Sequence, residues 1–192
     1  MPETIILALL FAKLKKYKIK ELFTLWEFYV ILSFEVFLAI VQINVFLQDF
    51  GLLRYMSIIR TVYLCSYLFL VFRFRIYKSA IVGSGFLVLG SVLNQVVIAA
   101  NGGRMPVFPT LSKLTGYISG NQPIETIDNI HKFGTQAVSL LFLTDIIDLG
   151  YSVLSIGDIF IRLFAFIIIY NSIKRLNMEN SLVEEKSSAK IA

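Results

Sequence analysis

The chain has 192 residues, 57% of them hydrophobic and 16% charged, with a formal charge of +5 and a mean hydropathy of +0.75. Soluble domains hold about 45–50% apolar residues, so this balance excludes an ordinary soluble chain and describes an integral membrane protein whose first partner is the lipid bilayer. Its Lys and Arg residues gather at the ends of apolar runs, which reads as topology and sets nucleic acid aside as a partner. A single cysteine, Cys65, excludes an intrachain disulfide and a cysteine metal cluster.

In chain order, residues 2–12 form a short apolar stretch followed by Lys13, Lys15, Lys16, Lys18 and Lys20. A secretory signal has the opposite order, so none is expected; with the lysines snorkelling the stretch reads as a fifth, short span, the alternative being an interfacial helix. Residues 25–48, 55–72, 80–100 and 155–173 are each long enough, as helices, to cross a hydrocarbon core about 30 Å thick. The apolar run 137–149 is shorter and ends in two aspartates, which predicts a re-entrant or lodged helix. The expected fold is therefore all-α: a polytopic transmembrane helix bundle of about five spans, plus that lodged helix under an extracytoplasmic cap. Residues 1–176 form a single integral membrane domain with an outward cap over 101–154, and 177–192 a flexible cytoplasmic tail. The positive-inside rule places Lys13–Lys20, Arg73–Lys78 and Lys174–Arg175 on the cytoplasmic side, with the N-terminus outside and the C-terminus inside.

Polar groups inside the spans are candidate sites, because each needs a partner or water there. Glu35 and Gln42 lie two turns apart on one helix face, an arrangement that suits either an intramembrane proton or cation relay or a hydrogen bond between helices. Glu27 reads as an interfacial ion-pair partner. Arg162 stands four residues after Asp158, the spacing of an ion pair on one helix face. Ser155 and Asp158 also have the spacing of a helix start, where acceptors satisfy free backbone N–H groups. Gly83, Gly90, Asn94 and Asn101 share one face of the third long span, where small residues admit a neighbouring backbone and asparagine bonds across the contact.

Past Ala100, Asn101-Gly102-Gly103-Arg104 combines backbone freedom, exposed N–H groups and a guanidinium. It reads equally as an anion-binding turn and as a helix C-cap with Arg104 paired to Asp145, Asp148 or Asp158. Asp145 and Asp148 would share the C-terminal end of a lodged helix, where the dipole disfavours carboxylates, so a cation is expected beside them. The lone histidine, His131, reads as a surface residue. The spacing carries no metal-ligand set, no cofactor motif and no nucleophile–base pair, so enzymatic chemistry has no direct support.

Leu93-Asn94, Asn101-Gly102-Gly103-Arg104-Met105-Pro106-Val107, Thr144-Asp145-Ile146-Ile147 and Ser155-Ile156-Gly157-Asp158 occur in that order. Together they resemble a family of small bacterial multi-spanning membrane proteins known as a domain of unknown function. The resemblance implies a bacterial cytoplasmic membrane and marks Asn94, Asn101, Gly102, Gly103, Arg104, Asp145 and Asp158 as one constellation. It also implies Ile-Ile/Val-Pro after Asp145; here Asp148 stands in the proline's place. Three functions fit the pattern: a component that binds or transports a small solute or ion, alone or with a partner membrane subunit; a non-catalytic subunit or scaffold; and a membrane enzyme acting on a lipid-associated substrate.

Overall fold

The computed structural model describes residues 2–118, 130–135 and 137–191, with side chains as far as Leu182. Helix α1 spans Pro2–Leu14, α2 Trp26–Phe46, α3 Met56–Phe74, α4 Tyr77–Ala100, and the last helix, α6, Ile156–Ile191. Between α4 and α6 lie β1 (Met105–Val107), the one-turn helix α5 (Leu111–Leu114), β2 (His131–Phe133), β3 (Ile147–Asp148) and β4 (Val153–Leu154). Four helical stretches of 21 to 27 residues are long and apolar enough to cross a membrane: Trp26–Phe46, Leu53–Phe74, Tyr77–Ala100 and Ile156–Leu182. Large apolar side chains such as Ile43, Ile58, Phe72, Ile81 and Val88 point outward along them. Outward apolar surface on this scale suits lipid, and the molecule is a helical membrane protein.

The helices alternate in direction between two ends. At one end, here the cap end, Glu3 meets Arg162 at 2.7 Å and Gln42 donates to the Tyr151 carbonyl at 3.3 Å. At the other, Glu27 meets Arg73 at 3.7 Å and the Lys18 amide donates to Asn177 at 2.7 Å. The three basic segments around Lys18, Arg73 and Arg175 thus share the base end, and the ion pair expected of Glu27 is present. The expected pair between Asp158 and Arg162 is replaced: Arg162 reaches across to Glu3, because α1 lies alongside α6. Helix α6 continues through the residues expected as a tail without a break at Asn177.

Helix α6 is the hub, packing on α4, α1 and α3. Ala8 and Ala12 of α1, Tyr63, Tyr67 and Leu70 of α3, and Ala165, Ile168 and Ile169 of α6 are fully buried in one core. The tightest contact is between α4 and α6. A Cβ on Gly90 would lie 2.3 Å from the Gly157 carbonyl oxygen, and one on Gly157 would lie 2.0 Å from Asn94 Oδ1. Further along the same face, a Cβ on Gly83 would meet the Phe164 ring at 3.0 Å. The glycines on this face therefore serve close packing, which in lipid replaces the hydrophobic effect as the force between helices.

The cap is not helical where a lodged helix was expected. Over 137–149 the chain takes a left-handed residue at Leu140, a 3-10 turn at Leu141–Leu143 and extended backbone from Thr144. Asp145 then joins β1, its amide donating to the Pro106 carbonyl at 3.1 Å and its carbonyl accepting from Phe108 at 2.9 Å. Strands β1 and β2 run parallel, pairing Met105 with His131 and Val107 with Phe133. Strands β3 and β4 form a small antiparallel hairpin. The physical reason lies in the two aspartates: at a helix C-terminus both would oppose the dipole, whereas here Asp148 finds backbone donors in its turn and Asp145 lies beside His131.

Gly157→Ala is expected to destabilise the protein by about 1–3 kcal/mol through overpacking. Gly85→Ala, whose new Cβ would meet nothing within 4 Å, should leave stability unchanged. Thermal unfolding in detergent micelles, comparing the two alanines, measures the difference.

Candidate functional site

The junction of the cap with α4 and α6 is built on a capping box. Ser155 Oγ accepts the Asp158 amide at 2.9 Å, and the Asp158 carboxylate accepts the Ser155 amide at 3.2 Å. These are the reciprocal bonds that Ser-x-x-acid spacing predicts at a helix start. Asn94 of α4 ties into both: its Nδ2 donates to Asp158 Oδ1 at 3.0 Å, and its Oδ1 accepts from Ser155 Oγ at 2.8 Å. Gly157 makes this approach possible, since any side chain there would displace the asparagine.

Asp145 is near enough to feel the charge of Asp158 and is 4% exposed. Its Oδ2 is 3.5 Å from His131 Nε2. Its Oδ1 is buried and has no hydrogen-bond partner among the described residues. Burial and the charge of Asp158 push the Asp145 carboxyl up from 3.8 to about 7, against the opposing pull of His131 and Arg60. The pairing of β1 with β2 and with residue 145 explains the meeting. Met105, Val107, His131 and Asp145 occupy paired sheet positions, so their side chains share one face. Arg60, at the cap end of α3, also acts on the Tyr117 phenol, lowering a proton affinity that burial raises.

The predicted constellation therefore divides. Asn94, Asp158 and Asp145 come together. Asn101 is a clamp: its side chain bonds the Val97 carbonyl at 2.9 Å and both backbone groups of Ser139 at 3.0 and 3.1 Å, while Lys132 caps its carbonyl at 2.8 Å. Gly102 and Gly103 have positive φ of 72° and 83°, and the Gly103 amide returns to the Ile98 carbonyl at 2.9 Å, so they close the helix as a C-cap. Arg104 is exposed on the cap. Asp148 organises the turn where the resemblance implied proline. It accepts the Ser112 hydroxyl at 2.5 Å and the amides of Ser112 at 2.8 Å, Gly150 at 2.8 Å and Thr110 at 2.7 Å, and these bonds, the hydroxyl first, outweigh burial and hold its carboxyl below the usual range. The cation expected beside it is thus replaced by backbone N–H groups.

Inside the bundle, Glu35 accepts a hydrogen bond from the Tyr63 hydroxyl, while Gln42 turns to the cap carbonyl of Tyr151. His131, read from the sequence as a surface residue, is a member of the site. No local pattern marks it, because its place depends on a strand pairing across more than twenty residues. Tyr63 and Tyr67 left a usable signal: two phenols four residues apart on one face of an apolar span.

The chain belongs to the Family of unknown function (DUF5317), whose profile matches residues 19–170. That stretch runs from the end of the basic connection into the first half of α6 and includes every residue of the cap junction. Neither a search of curated proteins nor one of solved structures finds a match.

The shifted Asp145 carboxyl gives a stability profile with a definite sign. Between pH 3.8 and about 7 the unfolded chain has released this proton while the folded protein retains it, so this group makes stability fall as pH rises through that window. Asp145→Asn should remove that slope and melt higher than the parent above pH 7. Melting temperature against pH, for the two proteins side by side, is the measurement.

Proposed function

We propose that this protein is a membrane-embedded binding component, serving transport, that takes a small cation or cationic solute at the cap junction. The observation that carries the reading is Asp145 Oδ1, a buried carboxylate oxygen with no donor among the described residues. A buried acceptor of this kind is uncommon in folded proteins and is satisfied by an N–H, an O–H or a cation from outside the chain. Two carboxylates, Asp145 and Asp158, act on one another there, and the cationic side chains that act on Asp145 are His131 and Arg60. Asn94 and Ser155 hold Asp158 in place behind it, and His131, part-exposed on β2, stands at the approach.

The basic base end, by the positive-inside rule, faces the cytoplasm of a bacterial cell, which puts the cap and the start of α1 outside. In that frame α1, at 13 residues, makes a fifth, short span against α6. The catalytic alternative called for a perturbed acid in an open cleft; Asp145 provides the acid, and its burial does not provide the cleft. The subunit reading has one observation in its favour. Only 17% of the apolar window of α4 is buried, against 28–39% for the other three long helices, and polar Ser84 and Gln95 lie exposed on it. A membrane partner seated there would leave the cap site free to bind.

Sodium, ammonium and methylammonium, added singly to protein in lipid nanodiscs above pH 7, are the probes. At least one should raise the melting temperature of the parent and leave Asp145→Asn unmoved. Equal shifts in both proteins, or none in the parent, would sink the reading. The orientation is tested separately on a Cys65→Ser background, where Gly102→Cys should react with an impermeant thiol reagent on intact cells and Lys18→Cys only after lysis.

A further inference from the structure

A second polar group lies within the bundle, apart from the cap. Glu35 is near the middle of α2 and 9% exposed; Tyr63 and Tyr67, one turn apart on α3, are fully buried. The Tyr63 hydroxyl donates to Glu35 Oε1 and lies 2.5 Å from the Tyr67 hydroxyl. The three groups thus form one chain of hydrogen bonds. Aromatic rings wall it in: Phe34 and Tyr63 have centroids 6.0 Å apart, Tyr63 and Tyr67 5.3 Å, and Tyr67 and Phe164 of α6 5.8 Å.

A phenol is both donor and acceptor, whereas a carboxyl donates only when protonated. With Glu35 ionised, Tyr67 donates to Tyr63 and Tyr63 donates to the carboxylate. With Glu35 protonated, the acid donates to Tyr63 and Tyr63 donates to Tyr67. The two states differ by one proton, held on the carboxyl, and by the direction of the O–H bonds; that proton enters or leaves at the Tyr67 end while the oxygens keep their places. A fixed hydrogen bond between helices would require Glu35 and one donor; the second phenol extends it into a path along which a proton can pass.

We infer that Glu35, Tyr63 and Tyr67 form an intramembrane proton-exchange site, in which the carboxyl takes up and releases one proton through the two phenols. The groups around it are few. On α3, Arg60 stands one turn toward the cap on the face that carries Tyr63 and Tyr67, which orients the site toward the cap junction. On α6, Phe164 covers Tyr67, and Arg162 is held by Glu3 at 2.7 Å. On α2, Glu27 is at the base end with Arg73, and Gln42 is bound to Tyr151. On α1, the buried face is Thr4, Ile5, Ala8 and Ala12.

The test is infrared difference spectroscopy of the full chain in liposomes, recorded across the pH range in which it stays folded. The expected result is a carboxylic C=O band that appears as pH falls, is lost in Glu35→Gln, and in Tyr63→Phe persists with its midpoint moved by about one pH unit. If Glu35→Gln does not fold, Glu35→Asp, which keeps the acid but withdraws it from Tyr63, must move the same band. A Glu35-dependent band that stays constant at every pH overturns the inference and makes the group a fixed link between helices. So does a titration that none of these variants alters. Asp145→Asn leaves the band in place, so this site and the cap site stand or fall separately.

Discussion

The contact between Gly90 and Gly157 is the constraint on which the rest depends. In lipid, apolar side chains gain nothing by leaving the solvent, so helices are held by close packing and by polar groups that meet across it. Two glycines without side chains let α4 and α6 approach until Gly90 and the Gly157 carbonyl nearly touch. At that separation Asn94 reaches Asp158 and Ser155. The asparagine thereby joins the start of α6 to α4, and the same bonds fix the carboxylate of Asp158. Its charge is one of the two causes that raise the proton affinity of Asp145. A packing detail of two residues is thus connected, through three hydrogen-bonding side chains, to the electrostatics of the cap.

The cap solves a different problem. Its described elements, none longer than four residues, are too short to cross a membrane, yet the cap lies over helix ends whose backbone groups need partners. Asp148 gathers the amides of Thr110, Ser112 and Gly150, and Asn101 holds both backbone groups of Ser139. Against this well-satisfied framework Asp145 stands out, with one oxygen near His131 and the other without a partner among the described residues. Buried polar groups without partners are uncommon in native folds, which is why the proposed ligand is placed at this one.

Much of the bundle was legible because span length is set by the bilayer. The stretches 25–48, 55–72 and 80–100 fall close to α2, α3 and α4, and Ser155 with Asp158 marks the start of α6 by a local rule of helix capping. The face of Gly83, Gly90 and Asn94 was legible for the same reason, since helical periodicity alone puts them together. The cap was not. Residues 137–149 have the apolar content of a helix, and only the pairing of Asp145 with β1 and the donors waiting for Asp148 decide otherwise. His131 was read as a surface residue because its partner is brought by a parallel strand pairing, which leaves no periodic trace in three residues. Glu35 was singled out as a costly group, but its phenol partner sits on another helix, and the candidate on its own helix, Gln42, is drawn away by the cap.

The early part of the chain meets α6 in a constant register. Glu3 pairs with Arg162, Lys18 with Asn177 and Glu21 with Asn180, each across 159 residues. Parallel neighbours with one fixed offset behave as a zipper, closed only when both strands of it exist. During synthesis α1 is made before α6 and stays without its ion pair, and without cover for Ala8 and Ala12, until α6 folds beside it. The pairing of these two helices therefore closes late, and through that interval a thirteen-residue helix has an apolar face in need of shelter.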